Sequence, residues 1–242
     1  HQLNNNEDGT IDLDDIKNAV RKDNVHFPRT SLISLENTHN MCFGTPITRD
    51  YIELVSNIAK ENGIKIHIDG ARLFNAAVAL DIDVKELVKD VDSVTFCLSK
   101  GLSAPVGSVL CGDKNFIHEA RRIRKALGGG MRQAGIIAAA GLVSLGKMIS
   151  QLKVDHENAK RLADGISTIS GLSVNTKKVY SNILYFSVDE SIMKGSELVQ
   201  KMGQHNVKFF EVSPNRFRLV THSNISLDNV NTTLELFETI LH

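Results

Sequence analysis

Three residues of this sequence have types suited to covalent chemistry: Asp69 and Arg72 in H-I-D-G-A-R, and Lys100 in C-L-S-K-G. A lysine at the mouth of an apolar strand is poorly hydrated. Its amine is then easier to deprotonate, and a neutral amine adds to carbonyl carbon to form an imine. A carboxylate can hold a proton on a basic nitrogen, and a guanidinium can donate to an anionic oxygen. Each residue also has a plainer reading. A lone lysine at a strand end snorkels to solvent, Asp69 and Lys100 could form an ordinary ion pair, and Arg72 a surface salt bridge. The placement of all three in the chain favours chemistry.

Residues 31–35, 64–68 and 93–98 are short apolar runs with the composition of buried strands. Helices are expected between them. Thr48 caps one with Tyr51, Ile52, Val55, Ile58 and Ala59, closed by Asn62-Gly63; Leu73–Leu80 is another, and Asp83 caps a third over 84–89. Strands alternating with helices imply crossover units and a parallel sheet, and such sheets bind ligands beyond the carboxyl ends of their strands. There the three strands end in E-N-T-H-N, D-G-A-R and S-K-G. Upstream, Asp12 caps a short helix to about Lys22. Downstream come a strand over 107–111, a basic helix over 116–127 broken by Gly128-Gly129-Gly130, and a long apolar helix from Arg132 to Lys147. Its helical pattern continues to Ile169. The remainder reads as a smaller α+β unit with strands at 182–188, 207–212 and 217–220, a helix at 197–205, and a last helix capped by Ser226. The expected domains are 1–147 and 148–242, the second including the linking helix.

The 42% apolar content is that of an ordinary globular protein. Twenty-eight basic residues balance 28 acidic ones, so nothing in the overall charge argues for nucleic acid or an anionic membrane. Cys42, Cys97 and Cys111 are odd in number and lack C-x-x-C spacing, and two fall in expected core strands. That suits a reducing compartment, the cytoplasm or a mitochondrion, and argues against a disulfide framework or a metal site. No apolar run approaches the ~20 residues of a membrane span.

A lysine that forms a Schiff base, beside a carboxylate that keeps a pyridine nitrogen protonated, is what pyridoxal 5′-phosphate asks of a protein. The stretches H-I-D-G-A-R-L-F-N-A, C-L-S-K-G-L-S-A-P-V-G-S, G-G-G-M-R-Q-A-G and F-R-L-V-T-H resemble the low-specificity L-threonine aldolases over essentially the whole chain. The resemblance implies the aspartate aminotransferase fold (fold type I), a mixed, mostly parallel sheet with helices on both faces and a smaller α+β domain. It implies pyridoxal 5′-phosphate as cofactor and cleavage of L-threonine or L-allo-threonine to glycine and acetaldehyde, a carbon–carbon lyase reaction. By resemblance, Lys100 carries the Schiff base, Asp69 partners the pyridine nitrogen, Arg72 the ring oxygen, and Arg218 the substrate carboxylate. Lys125 and Arg132 match basic positions near the cofactor, and His26 a histidine that helps deprotonate the substrate hydroxyl. Asn182 could assist at the carboxylate, and Asn37 and His39 could face the cofactor. Taken alone, Lys125 and Arg132 belong to a solvated basic helix and its end, and His26 to a solvated loop. Arg121, Arg122 and Arg124 read only as a basic helix face.

The resemblance further implies a homodimer or homotetramer, with residues 128–132 and the following helix in the interface. It also implies about a hundred residues ahead of His1, holding the turn that cradles the phosphate and a histidine that stacks on the ring. Two other readings stay open at this point: a truncated, catalytically silent chain that acts as an oligomer partner, and a related lyase that performs β-elimination on another amino acid.

Overall fold

The computed structural model describes residues 1–242, which divide into two units: His1–Cys42 with Pro46–Ile149, and Phe43–Thr45 with Ser150–His242. In chain order the first unit holds α1 (Leu13–Ala19), β1 (Leu32–Glu36), α2 (Arg49–Glu61), β2 (Lys65–Asp69), α3 (Leu73–Leu80), α4 (Val84–Leu87), β3 (Ser93–Cys97), β4 (Ser108–Gly112), α5 (Lys114–Ala126) and α6 (Gly135–Val143), which runs into a π-helical turn, Ser144–Met148. Four of these helices begin where the sequence supplies an acceptor for orphan N–H groups. Asp12, Thr48, Asp83 and Asp113 each accept from a backbone N–H in the first turn.

The sheet order is β1-β2-β3-β4, with the first three strands parallel and β4 antiparallel to β3. Residues 98–107 are too few for a crossover helix, so the chain can only reverse. Alternation sorts the side chains by face. Leu35, Ile66, Ile68, Val94 and Phe96 are buried on one side. There Phe74 of α3 meets Phe96 edge-on, with centroids 5.2 Å apart. The other face carries Ser34, Glu36, His67, Asp69, Ser93 and Thr95 in lateral register. On that side Phe116 of α5 lies directly over Gly112, where a Cβ would come within 2.5 Å of the ring. Helices therefore flank the sheet on both faces.

Two expectations need correction in this unit. The helix expected from Arg132 begins at Gly135, with Ala134 as an N-cap that offers no side-chain acceptor, and it gives way to the π turn at Ser144. Cys111 is exposed, because β4 is an edge strand. The basic helix expected over 116–127 is α5, and it buries no residue.

The second unit holds α7 (Gln151–Ile166), β5 (Leu172–Val174), β6 (Ile183–Val188), α8 (Gly195–Gln204), β7 (Phe210–Ser213), β8 (Arg216–Val220) and α9 (Leu227–Leu241). Its antiparallel sheet has the order β5-β6-β8-β7. Phe186 centres the core, with ring centroids 4.9 Å from Phe217, 5.4 Å from Phe237 and 5.7 Å from Phe209. The strand expected at 207–212 starts only at Phe210, because Phe209 turns into this cluster. The three-residue β5 is too short to show a period. No single helix is long and apolar enough to cross a membrane.

Burial holds the His156 imidazole down to about 4 from its usual 6.5. A base with a depressed folded pKa contributes stability that is complete above 6.5 and is lost as pH falls toward 4. The loss across that window is roughly 3 kcal/mol. Urea midpoints measured from pH 7 to 4 should fall accordingly. The slope should flatten in His156→Phe, whatever that variant's stability at neutral pH.

Candidate active site

The last residue of β2, Asp69, is held from both sides. Its carbonyl accepts from Asn37 N at 2.9 Å, and its Oδ1 from Ala71 N at 3.1 Å. Gly70 N then donates to Thr95 O at 2.8 Å. A Cβ on Gly70 would sit 2.7 Å from that same oxygen, so the turn that aims Asp69 requires glycine. Leu73 N closes on Gly70 O at 2.8 Å to start α3, with Arg72 half-buried as its N-cap. The Arg72 Nη1 reaches Asn40 Oδ1 at 3.4 Å.

At the end of β1, Asn37 is fully buried and exchanges two 3.0 Å hydrogen bonds with the Ile47 backbone. Asn37 thus clasps a loop with both ends of its amide. Glu36, level with Asp69 in the register, accepts from Asn40 N at 3.0 Å and lies 3.6 Å from His39 Nε2. Ser34, Glu36, His39 and Asp69 line part of a groove of about 630 Å³ along β1.

Lys100 is on the turn that leaves β3. Leu98 N bonds to Gly107 O, Ala104 N to Leu98 O and Ser103 N to Lys100 O, each at 2.9 Å. Leu98, Leu102 and Ala104 are buried, whereas Lys100 is exposed. The expected desolvation of its amine is therefore not a property of the free chain. What fixes Lys100 is a tightly bonded turn with apolar anchors on either side.

The structure brings Asp69, Arg72 and Lys100 to the carboxyl edge of one sheet. His26 is exposed on the loop that enters β1, where its N–H bonds to Asn24 Oδ1 at 2.9 Å, and that loop meets the sheet at the opposite edge. Lys125, in the last turn of α5, and Arg132, past the glycines, are exposed. Arg218 lies in β8 of the second unit, paired with Tyr185. Asn182 is buried there and donates to Thr221 O at 2.8 Å.

Sequence reasoning passed over His67. Its Nδ1 lies 2.8 Å from Ser93 Oγ and its Nε2 2.9 Å from Thr95 Oγ1. The available signal was a polar residue two positions before Asp69 in an alternating strand.

Residues 1–189 match the model of the beta-eliminating lyases. The chain belongs to that family. Within it, low-specificity L-threonine aldolase 1 of Arabidopsis thaliana is 43% identical over 98% of this chain and 67% of its own length. The low specificity L-threonine aldolase of Escherichia coli K12 is 41% identical over 92% of this chain and 64% of its own. The solved threonine aldolase of Leishmania major superposes with a TM-score of 0.77 at 18% identity, over 98% of this chain and 69% of that one. The chain thus spans about two thirds of the length of these relatives. This lyase family uses pyridoxal 5′-phosphate, and the donor set at the sheet edge fits it. An exposed amine can take the carbonyl carbon, a carboxylate at a strand end the ring nitrogen, and a guanidinium the ring oxygen.

Borohydride treatment of the chain with pyridoxal 5′-phosphate should leave a reduced phosphopyridoxyl group on the Lys100 peptide, read by mass spectrometry. Lys100→Ala should lose it. A label on another lysine of the unmutated chain would remove Lys100 from the site.

Proposed function

We propose that this chain performs the retro-aldol cleavage of L-threonine and L-allo-threonine to glycine and acetaldehyde. The observation that carries the proposal is 43% identity to a low-specificity L-threonine aldolase over nearly the whole chain, combined with Asp69, Arg72 and Lys100 at one sheet edge. When bound, pyridoxal 5′-phosphate supplies an electron sink for the pair released at Cα as the Cα–Cβ bond breaks. The protein's residues do the rest. The Lys100 Nζ would hold the cofactor through its carbonyl carbon. The Asp69 carboxylate keeps the ring-nitrogen proton in place, and Arg72 donates to the ring oxygen. In the second unit, Arg218 offers a planar, bidentate donor suited to the substrate carboxylate. His26, the β-hydroxyl base that the resemblance implies, enters the sheet from its opposite edge and is not counted among these groups, while Lys125 and Arg132 add positive charge for an anionic cofactor.

A homodimer or homotetramer is part of the same proposal. Ile136 of α6 is 90% exposed and Leu142 74%, with Leu127 and Met131 exposed just before them. An apolar stretch this open in a single chain is the surface a second copy would cover. Light scattering should give a mass above one chain, and Ile136→Asp should lower it.

Product analysis tests the reaction. Glycine and acetaldehyde in equal amounts are expected from L-threonine; ammonia and a keto acid would place the chain with the β-eliminating members. Asp69→Asn should keep the Lys100 label yet lose about a hundredfold or more in turnover, the scale set by removing one electrostatic partner of a developing charge. Unchanged turnover would take Asp69 out of its role.

A further inference from the structure

His67 stands one pleat below Asp69 on the same face of β2, and its ring spans two residues of the neighbouring strand. Both ring nitrogens are occupied by hydroxyls. Each hydroxyl can donate or accept, so either neutral tautomer fits, and so does the imidazolium with two N–H donors. A proton can thus come or go at His67 through hydroxyl rotation alone, with no movement of the ring. The site holds a titratable group in fixed geometry about two residue rises from the Asp69 carboxylate, roughly 7 Å along the strand.

We propose that His67 is the positioning residue that sets the charge available to Asp69. Fixed between Ser93 and Thr95, a neutral ring leaves the Asp69 carboxylate undivided, whereas an imidazolium draws on it. This rests on the reading of Asp69 as partner of the cofactor's ring nitrogen and adds to it what governs the strength of that partnership. Burial disfavours the imidazolium and the Asp69 charge favours it, so the two groups are coupled. The other groups around the pair are Glu36 and His39 from the end of β1, Arg72 and Lys100 from the turns, Cys97 on β3, and Arg121 and Arg124 of α5, the helix on the same face. Lys65 shares the face one pleat further down, but it is turned to Asp92 at 2.7 Å. Neutral His67 keeps the carboxylate's full attraction for the ring-nitrogen proton. Protonated His67 competes for it, and the cofactor is held less tightly.

Two measurements test the proposal. The first needs no cofactor. The His67 ring signals, assigned by their loss in His67→Gln, are followed by NMR from acid to alkaline pH in the whole chain. The midpoint should lie below 6.5 and move lower still in Asp69→Asn, which removes the charge that supports the imidazolium. A midpoint unmoved by Asp69→Asn would overturn the coupling. The second is the dissociation constant of pyridoxal 5′-phosphate across the same range, from its absorbance. Binding to the unmutated chain should weaken on the acid side around the NMR midpoint. His67→Gln, whose amide can meet both hydroxyls without charge, should lose that limb. The cofactor's own ionisations are common to both proteins and cancel. An identical acid limb in His67→Gln would overturn the proposal. Failure of the unmutated chain to bind the cofactor at any pH would instead overturn the reading of the Asp69 site, with the NMR result still deciding whether His67 and Asp69 are coupled.

Discussion

The parallel register of β1, β2 and β3, held by one buried apolar face, is the constraint on which the rest depends. Ile66, Ile68, Val94 and Phe96 must face the helices, and fully burying each is worth about 1.5–3 kcal/mol. With a period of two, that choice sends His67, Asp69, Ser93 and Thr95 to the opposite face. A slip of one residue in β2 would bury Asp69 and expose Ile68. The position of Asp69 is therefore set by its apolar neighbours in sequence more than by any contact of its own carboxylate.

The strand ends are then fixed by backbone bonds that leave the functional atoms available. Gly70 ties β2 to β3 through Thr95 O, Asn37 pins the loop after β1 through Ile47, and the Leu98–Ala104 bond closes the turn that presents Lys100. In each case the locking groups are main chain or buried amide, and the reactive side chain projects from the locked segment. A site built this way loses little conformational freedom on binding, which is what orientation of a reacting bond demands.

What could be read from the sequence follows the range of the interactions. Caps are local, so Asp12, Thr48, Asp83 and Ser226 were legible, and each makes its backbone bond. Strand ends follow from composition, so Asp69 and Lys100 were legible as a pair. The assignment of Phe43–Thr45 to the second unit was not, because it depends on contacts far along the chain: the Phe43 ring meets Tyr185 edge-on at 5.4 Å, and Gly44 O accepts from Ser181 Oγ at 2.8 Å. His67 was missed for a related reason. Its partners, Ser93 and Thr95, are ordinary residues until the register of two strands places them at its two ring nitrogens. Phe209 misled in the opposite sense, since a strand-like run hides a residue that leaves the sheet to fill a core.

The exposure of Asp69 and Lys100 leaves a question of energy that the fold itself does not answer. In water a charge pair at 4 Å is worth about 1 kcal/mol, and near a protein surface about 4 kcal/mol. A carboxylate in open solvent would hold a pyridinium proton weakly. On the proposed reading, part of the difference would come from what covers the pair once a ligand is present. A flat aromatic ring seated against the ends of β2 and β3 would displace water from the Asp69 carboxylate by its own area, while Glu36, His39 and Arg72 border the same edge. On that reading the sheet supplies position, and a bound ring would add the low dielectric that gives the position its value.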